Sequence, residues 1–360
     1  MNHPTLRHQA PESYDWHRGR HTAFLLVLAA ALVCAVLVSL WCGSYETPLP
    51  ELVRGVFGRA ADKSVNTVVR SLRLPRICTA LLGGAGLGIC GCVLQSVLRN
   101  PLASASTLGI SQGASFGAAF AIVVLGAGIQ SGSSASGSMS FTSPVTISVC
   151  AFVCSMAVSL VILALSRLRS ITPEAMVLAG VALSSLFSGA STLLQYFADD
   201  VQLSSVVFWT FGDLGRTSWR EVRIMALVVL AATAVFLVNR WNYNALESGA
   251  HTAVSLGIHV EGLRLWNVLL CSLVCSVVAA YVGVINFIGL VAPHLVRRMV
   301  GGNYCWLLPG SALMGSLLLL LGDLAARQVL SPVVLPIGAI TSFLGAPLFL
   351  YMLFKGRDRL

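Results

Sequence analysis

Charge is what this sequence most lacks: charged residues make up 10% of its 360 positions. A soluble domain so poor in charge would have to enclose more apolar surface than a chain of this length can. Lysine occurs twice, at Lys63 and Lys355, and neither completes a G-x-x-x-x-G-K-[ST] stretch. The chain therefore does not hold ATP on a phosphate-binding loop of that kind. No C-x-x-C pair is present, so zinc and thioredoxin-type readings have no support. Cys34, Cys78, Cys90, Cys92, Cys150, Cys154, Cys271 and Cys275 all lie in apolar runs, where a thiol acts as a small hydrophobe. Mid-span acids are missing, which argues against proton coupling. The net charge of +9 comes without a basic patch interleaved with aromatics, so no nucleic acid is expected as a partner. No clustered catalytic set suggests an enzyme.

What is present is apolar. Hydrophobic residues make up 56% of the chain and mean hydropathy is +0.82. A bilayer crossing needs about 20 apolar residues. Charge-free runs, divided at the Gly/Ser-rich stretch 126–144 and near "VGVINF", predict about ten helices. These lie near 23–41, 77–98, 106–126, 143–166, 175–197, 222–240, 264–282, 287–299, 307–326 and 337–354. Residues 1–21 read as a polar, basic cytoplasmic tail before a retained first span, and 22–360 as one all-α polytopic membrane domain.

An even number of crossings puts both termini in the cytoplasm, with thirteen of the 23 basic residues there, a weak form of the usual bias. Six of the outer ones (Arg54, Arg59, Lys63, Arg70, Arg73, Arg76) fall in a single outer loop, which suggests an acidic partner outside. Six of the seven tryptophans sit near predicted span ends, as interfacial anchors do.

Gly86, Gly88 and Gly91 match G-x-G-x-x-G, but no strand precedes them and no acid follows about twenty positions on, so a dinucleotide site is rejected. Gly84 and Gly88 are spaced G-x-x-x-G. With Gly91 they form a helix-packing surface or the thin wall of a pathway. Asp323 and Arg327, at i and i+4, read as a local ion pair near an outer helix end. His294, after Pro293, reads as a structural helix-end residue rather than a proton relay.

Five stretches carry a resemblance. "RLPRICTALLGGAGLGICGCVLQSVLRNPLASASTLGISQGASFGAA", "VLAGVALSSL", "FWTFGDLGRTSW", "GVINFIGLVAPHLVRRMVGG" and "LPIGAITSFLGAPLFLYML" closely resemble the permease subunits of type II ABC importers for ferric siderophores, haem and cobalamin. The match runs in order from about residue 40 to the C-terminus. It implies ten helices per subunit, a second permease subunit (a copy or a paralogue), two cytoplasmic ABC ATPases and an external substrate-binding protein. It places the chain, multi-pass, in a bacterial cytoplasmic membrane, bathed in lipid. ATP and magnesium belong to the ATPases, and no cofactor or metal is expected on this chain.

The resemblance also implies roles. Arg73, Arg76 and Arg327 would face outward and pair with glutamates of the binding protein. Asn100 and Leu102, in the Arg-Asn-Pro-Leu turn, would form an inner gate opposite Thr172, Pro173 and Glu174. Residues 243–262 would be two short coupling helices seated in the ATPase, involving Glu247, Gly249, Ala250, Ser255, Leu256 and Gly257. The common A-L-G-E pattern is altered there: Ala250 stands where an acid is usual, and Glu247 lies upstream. The function expected is import of a large iron chelate, a ferric siderophore first, then haem or cobalamin. A stand-alone secondary transporter is the alternative from another class.

Overall fold

The computed structural model describes residues 11–43, 48–128, 142–169, 172–331 and 333–356. Arg7, Arg357, Arg359 and the middle of the Gly/Ser-rich stretch lie outside the described residues. Within them, all regular structure is helical. In chain order the elements are α1 (Pro11–Trp41), α2 (Leu49–Val56), α3 (Lys63–Thr67), a π-helical turn (Val68–Arg73), α4 (Leu74–Val97) and α5 (Ile110–Val123). There follow α6 (Pro144–Arg169), α7 (Pro173–Phe197), α8 (Asp200–Phe211), a 3₁₀ turn (Leu214–Arg216) and α9 (Trp219–Val238). The chain closes with α10 (Arg240–Glu247), α11 (Ala250–Ser255), α12 (Val260–Val282), α13 (Ile288–Val300), α14 (Tyr304–Gln328) and α15 (Ile337–Gly356).

Each of the ten helices expected from hydropathy has a counterpart: α1, α4, α5, α6, α7, α9, α12, α13, α14 and α15. Seven helical stretches are long and apolar enough to cross a membrane by themselves, and Ile110–Val123 and Ile337–Tyr351 are shorter apolar helices. Three boundaries differ from the sequence reading for identifiable reasons. α1 starts at Pro11, inside the expected tail. α5 starts at Ile110 instead of 106, because Ser104 and Thr107 trade side-chain and backbone hydrogen bonds that hold a turn there.

The third difference concerns the outer arginines. Asp62 caps Ser64 N at 2.8 Å and starts a helix that runs unbroken through the π turn from Lys63 to Val97. At 1.5 Å per residue those 35 residues span roughly 50 Å, well beyond the ~30 Å hydrocarbon core. Lys63, Arg70, Arg73 and Arg76 therefore ride on helix rather than in a loop.

α4 is the central column. In its most apolar stretch 78% of residues are buried, against 11% in α7. Its glycines allow this. A Cβ on Gly84 would strike the backbone of Gly315, one on Gly88 the carbonyl of Ser311, and one on Gly91 the carbonyl of Gly289. α14 and α13 thus approach α4 backbone to backbone, the geometry that small residues permit in membranes. Ser316 Oγ donates to Leu81 O at 2.7 Å across the same seam. α7 has no comparable cover among the described residues.

Candidate functional site

At one end of the bundle, three helices and a loop converge on Asp323. This carboxylate is fully buried. Its Oδ1 accepts from Arg76 Nε of α4 at 2.9 Å, and its Oδ2 from Arg327 Nε at 3.0 Å. Arg327 also donates to Cys42 O (2.9 Å) and Ser39 Oγ (2.7 Å), which ties in the end of α1. Arg76 Nη2 lies 3.6 Å from Asp213 Oδ1 in the loop before α9. Arg73 donates to Leu40 O at 2.7 Å, and its guanidinium lies against Gly43, where a side chain would collide with it.

The three arginines that the sequence reading grouped do meet: Arg73, Arg76 and Arg327 line one pocket of about 370 Å³ with Ser39 and Gly215. All three are largely enclosed by the fold. Arg73 is 6% exposed, and the side chains of Arg76 and Arg327 are 18% and 12% exposed. A guanidinium in such a setting turns toward whatever acceptors replace water, here a buried carboxylate and the carbonyls at the end of α1.

At the opposite end α4 stops at a strained turn. Arg99 adopts φ 47°, its N–H donates to Ser96 O (3.0 Å), and the N–H of Asn100 donates to Gln95 O (3.1 Å). Asn100 Oδ1 then accepts from Leu102 N at 2.8 Å, which fixes the turn and leaves Leu102 45% exposed. Thr172 caps α7 through Ala175 N, Pro173 occupies the first helical position and Glu174 the first turn. Among the described residues, no hydrogen bond or ion pair joins Asn100 or Leu102 to residues 172–174. Arg99 and Arg264 do act on Glu174 electrostatically, so the α4–α5 turn and the start of α7 share one neighbourhood.

α10 and α11 project from the same end. α10 is anchored by Tyr243 and Leu246, both buried, and Tyr243 OH donates to Asn267 Oδ1 of α12 at 2.6 Å. Burial raises the Tyr243 phenol well above its usual pKa, so it stays a donor. Glu247 is bound from below: Arg297 Nη1 of α13 donates to its Oε1 at 2.6 Å, and Tyr304 OH of α14 to its Oε2 at 3.4 Å. Asn244 Oδ1 accepts from Tyr304 N at 2.8 Å. Gly249 (φ 119°) turns the chain into α11, and Gly257 (φ 81°) turns it out again. Between them Ala250 is half-buried and Ser255 exposed, while Val254 and Leu256 are 60% and 66% exposed. The result is an apolar-tipped helix on a rigidly held base.

Sequence reading missed Asn244, Asn267, Arg297 and Tyr304. Their signal was the pairing of a basic last turn in α13 with a lone acid 50 positions upstream, which no local spacing connects. His294 is half-buried, with Nδ1 3.0 Å from Leu290 O and its ring edge-on to Phe349, the surroundings of a structural histidine.

Comparisons agree with this architecture. The FecCD transport family model matches residues 31–355. An ABC transporter permease protein of Methanocaldococcus jannaschii is 46% identical over 96% of this chain and 98% of its own. The hemin transport system permease protein HmuU of Yersinia pestis is 32% identical over 93% and 97%. Among solved structures, a metal-chelate type ABC transporter in an inward-facing conformation superposes with a TM-score of 0.80 at 30% identity, covering 93% of this chain and 99% of that one. The chain belongs to the FecCD transport family and has the permease fold of a type II ABC importer.

Proposed function

We propose that the chain is the membrane path by which a large iron chelate enters the cytoplasm, handed over by an external binding protein and driven by ATP hydrolysis on separate subunits. The observation that carries this reading is the seating of α10 and α11. α11 carries the exposed apolar tip, and α10, joined to it through the Gly249 turn, is fixed by hydrogen bonds and an ion pair to α12, α13 and α14. A push on that tip reaches the bundle without being absorbed by a flexible loop. The chain has no nucleotide loop, so the push comes from a partner that binds ATP and magnesium. Two such ATPases and a second permease subunit complete the assembly, and α7, the most exposed long helix, is the face available for that subunit.

The remaining roles follow. Both termini lie in the cytoplasm with α10 and α11. The Asn100–Leu102 turn and Thr172–Glu174 form the inner gate, because helix-end turns can shift without breaking intrahelical hydrogen bonds. The arginine pocket around Asp323 is the docking point for glutamates of the binding protein, which would compete with Asp323 for Arg76 and Arg327. A ferric siderophore is the first expectation for the cargo, followed by haem, the class named for the Yersinia relative, and then cobalamin.

Reconstitution with the ATPase and binding protein tests this. Uptake of a ferric siderophore or haem should require ATP, stop with vanadate and ignore uncouplers. Uptake that persists without the ATPase and collapses with an uncoupler would make the chain a stand-alone secondary transporter instead.

A further inference from the structure

A cleft between the first turns of α6 and α9 and the last turns of α12 has no part in the roles above. It encloses about 540 Å³. Its walls are apolar, built from Val145, Val149, Phe152, Ile224 and Val277, and its rim carries Arg216 and Arg220. Val145, Val149 and Ile224 are 59%, 53% and 37% exposed, so the cleft opens sideways from the bundle. The nine residues of α6 from Pro144 to Phe152 extend about 12 Å. The cleft thus descends from the level of the helix ends, where Trp219 sits, to the depth of the upper acyl chains.

The rim charges are not equivalent. Arg216 is held in place by donating to the carbonyls of Phe208 and Trp209 at the end of α8. Burial lowers its pKa and Asp213 acts in the opposite direction. Glu221 accepts from Ser218 N at 2.8 Å and from the Ser218 hydroxyl, inside the capping box that opens α9. Its carboxylate is stabilised by that helix start. Arg220 is exposed, and its guanidinium forms no hydrogen bond or ion pair among the described residues. It belongs with Arg216 and Arg223 to a group of basic residues on the outer side of the expected topology, which the usual inside bias leaves unexplained.

We propose that this cleft binds an anionic phospholipid, with the phosphate on the Arg220 guanidinium beside Arg216 and the start of an acyl chain against Val149, Phe152 and Ile224. The combination selects the class. A soluble anion would have no use for the apolar wall, and the ammonium of a zwitterionic headgroup would be repelled by the two guanidinium groups of Arg216 and Arg220 on the rim. Guanidinium suits a phosphate because two parallel N–H groups match two oxygens. The site rests on the chain's being a membrane permease and on nothing about cargo or docking.

The test is lipid retention by the purified, delipidated complex, measured by native mass spectrometry with phosphatidylglycerol and phosphatidylcholine. One phosphatidylglycerol per chain should be kept in preference to phosphatidylcholine, and millimolar inorganic phosphate should not displace it. Arg220→Gln should weaken retention about tenfold, the scale of one charge-assisted contact, with Arg220→Lys intermediate. Ile224→Trp should block the cleft with both arginines intact. Basal ATPase activity should be unchanged in each variant, which shows that the complex still assembles. Equal retention of the two lipids, unaltered binding by Arg220→Gln, or displacement by phosphate would overturn the site. So would a cross-link placing the second permease subunit on Val145.

Discussion

Arg76 and Asp323 are 247 residues apart in the chain and joined by a 2.9 Å hydrogen bond. The sequence suggests a local pair between Asp323 and Arg327, four residues on. That pair exists, but the same carboxylate also serves Arg76, and through Arg327 it reaches the end of α1. One buried acid thus fastens α1, α4 and α14 at a single point. Asp323→Asn keeps the shape and removes the charge, leaving two guanidinium groups in a poorly hydrated site. Losing one partner of a buried pair costs about 3–5 kcal/mol. Thermal unfolding in detergent should shift clearly downward for this variant, whereas Glu51→Gln, on the exposed ion pair with Arg54, should hardly change it. Equal shifts for the two would show that the cluster contributes no more than a surface pair.

The central position of α4 rests on the absence of side chains. Gly91→Ala drives a methyl group into the carbonyl of Gly289, and Gly84→Ala drives one into the backbone of Gly315. Neither neighbour is a side chain that can swing away. Overpacking of this kind costs about 1–3 kcal/mol per site. Gly189, with nothing within 4 Å of a Cβ, is the control, and Gly189→Ala should be neutral or slightly stabilising. Melting temperatures of the three variants decide the point.

Much of this was legible in the sequence. Hydropathy located ten helices, seven of them in stretches long and apolar enough to be recognised alone, and the G-x-x-x-G spacing marked Gly84 and Gly88 for close packing. α2, α3 and α8 escaped because they are short. α8 spans only 12 residues, begins at a capping box of Asp199 and Gln202, and turns away before it could cross. The arginines could be grouped by motif, but not oriented. Their partners, Leu40 O, Ser39, Asp213 and Asp323, come from three separate segments, and that convergence is a property of packing rather than spacing.

The turn after α4 and the start of α7 are to be tested as a gate by paired cysteines. In a background with the ten native cysteines replaced, L102C on one subunit and P173C on the other should cross-link with a yield that changes between ATP-bound and nucleotide-free states. Leu102 is exposed and Pro173 half-buried, so both new thiols are within reach of oxidant. A yield indifferent to nucleotide would remove both segments from the gate.

The ion pair between Glu247 and Arg297 separates stability from coupling. Its side chains are 44% and 32% exposed, so breaking it costs about 1 kcal/mol at most, and the protein should still insert and fold. The mechanical consequence should be larger, since the pair is the direct link between the coupling segment and α13. Glu247→Arg should leave ATP hydrolysis by the assembled transporter near its normal rate while uptake falls at least several-fold. The swapped variant, Glu247→Arg with Arg297→Glu, restores the attraction in reverse and should recover part of the uptake. That recovery is the informative measurement, because a contact made by Glu247 with the ATPase alone would not be repaired by changing Arg297. If uptake stays as low in the double variant as in the single, Glu247 acts on the partner and not through α13.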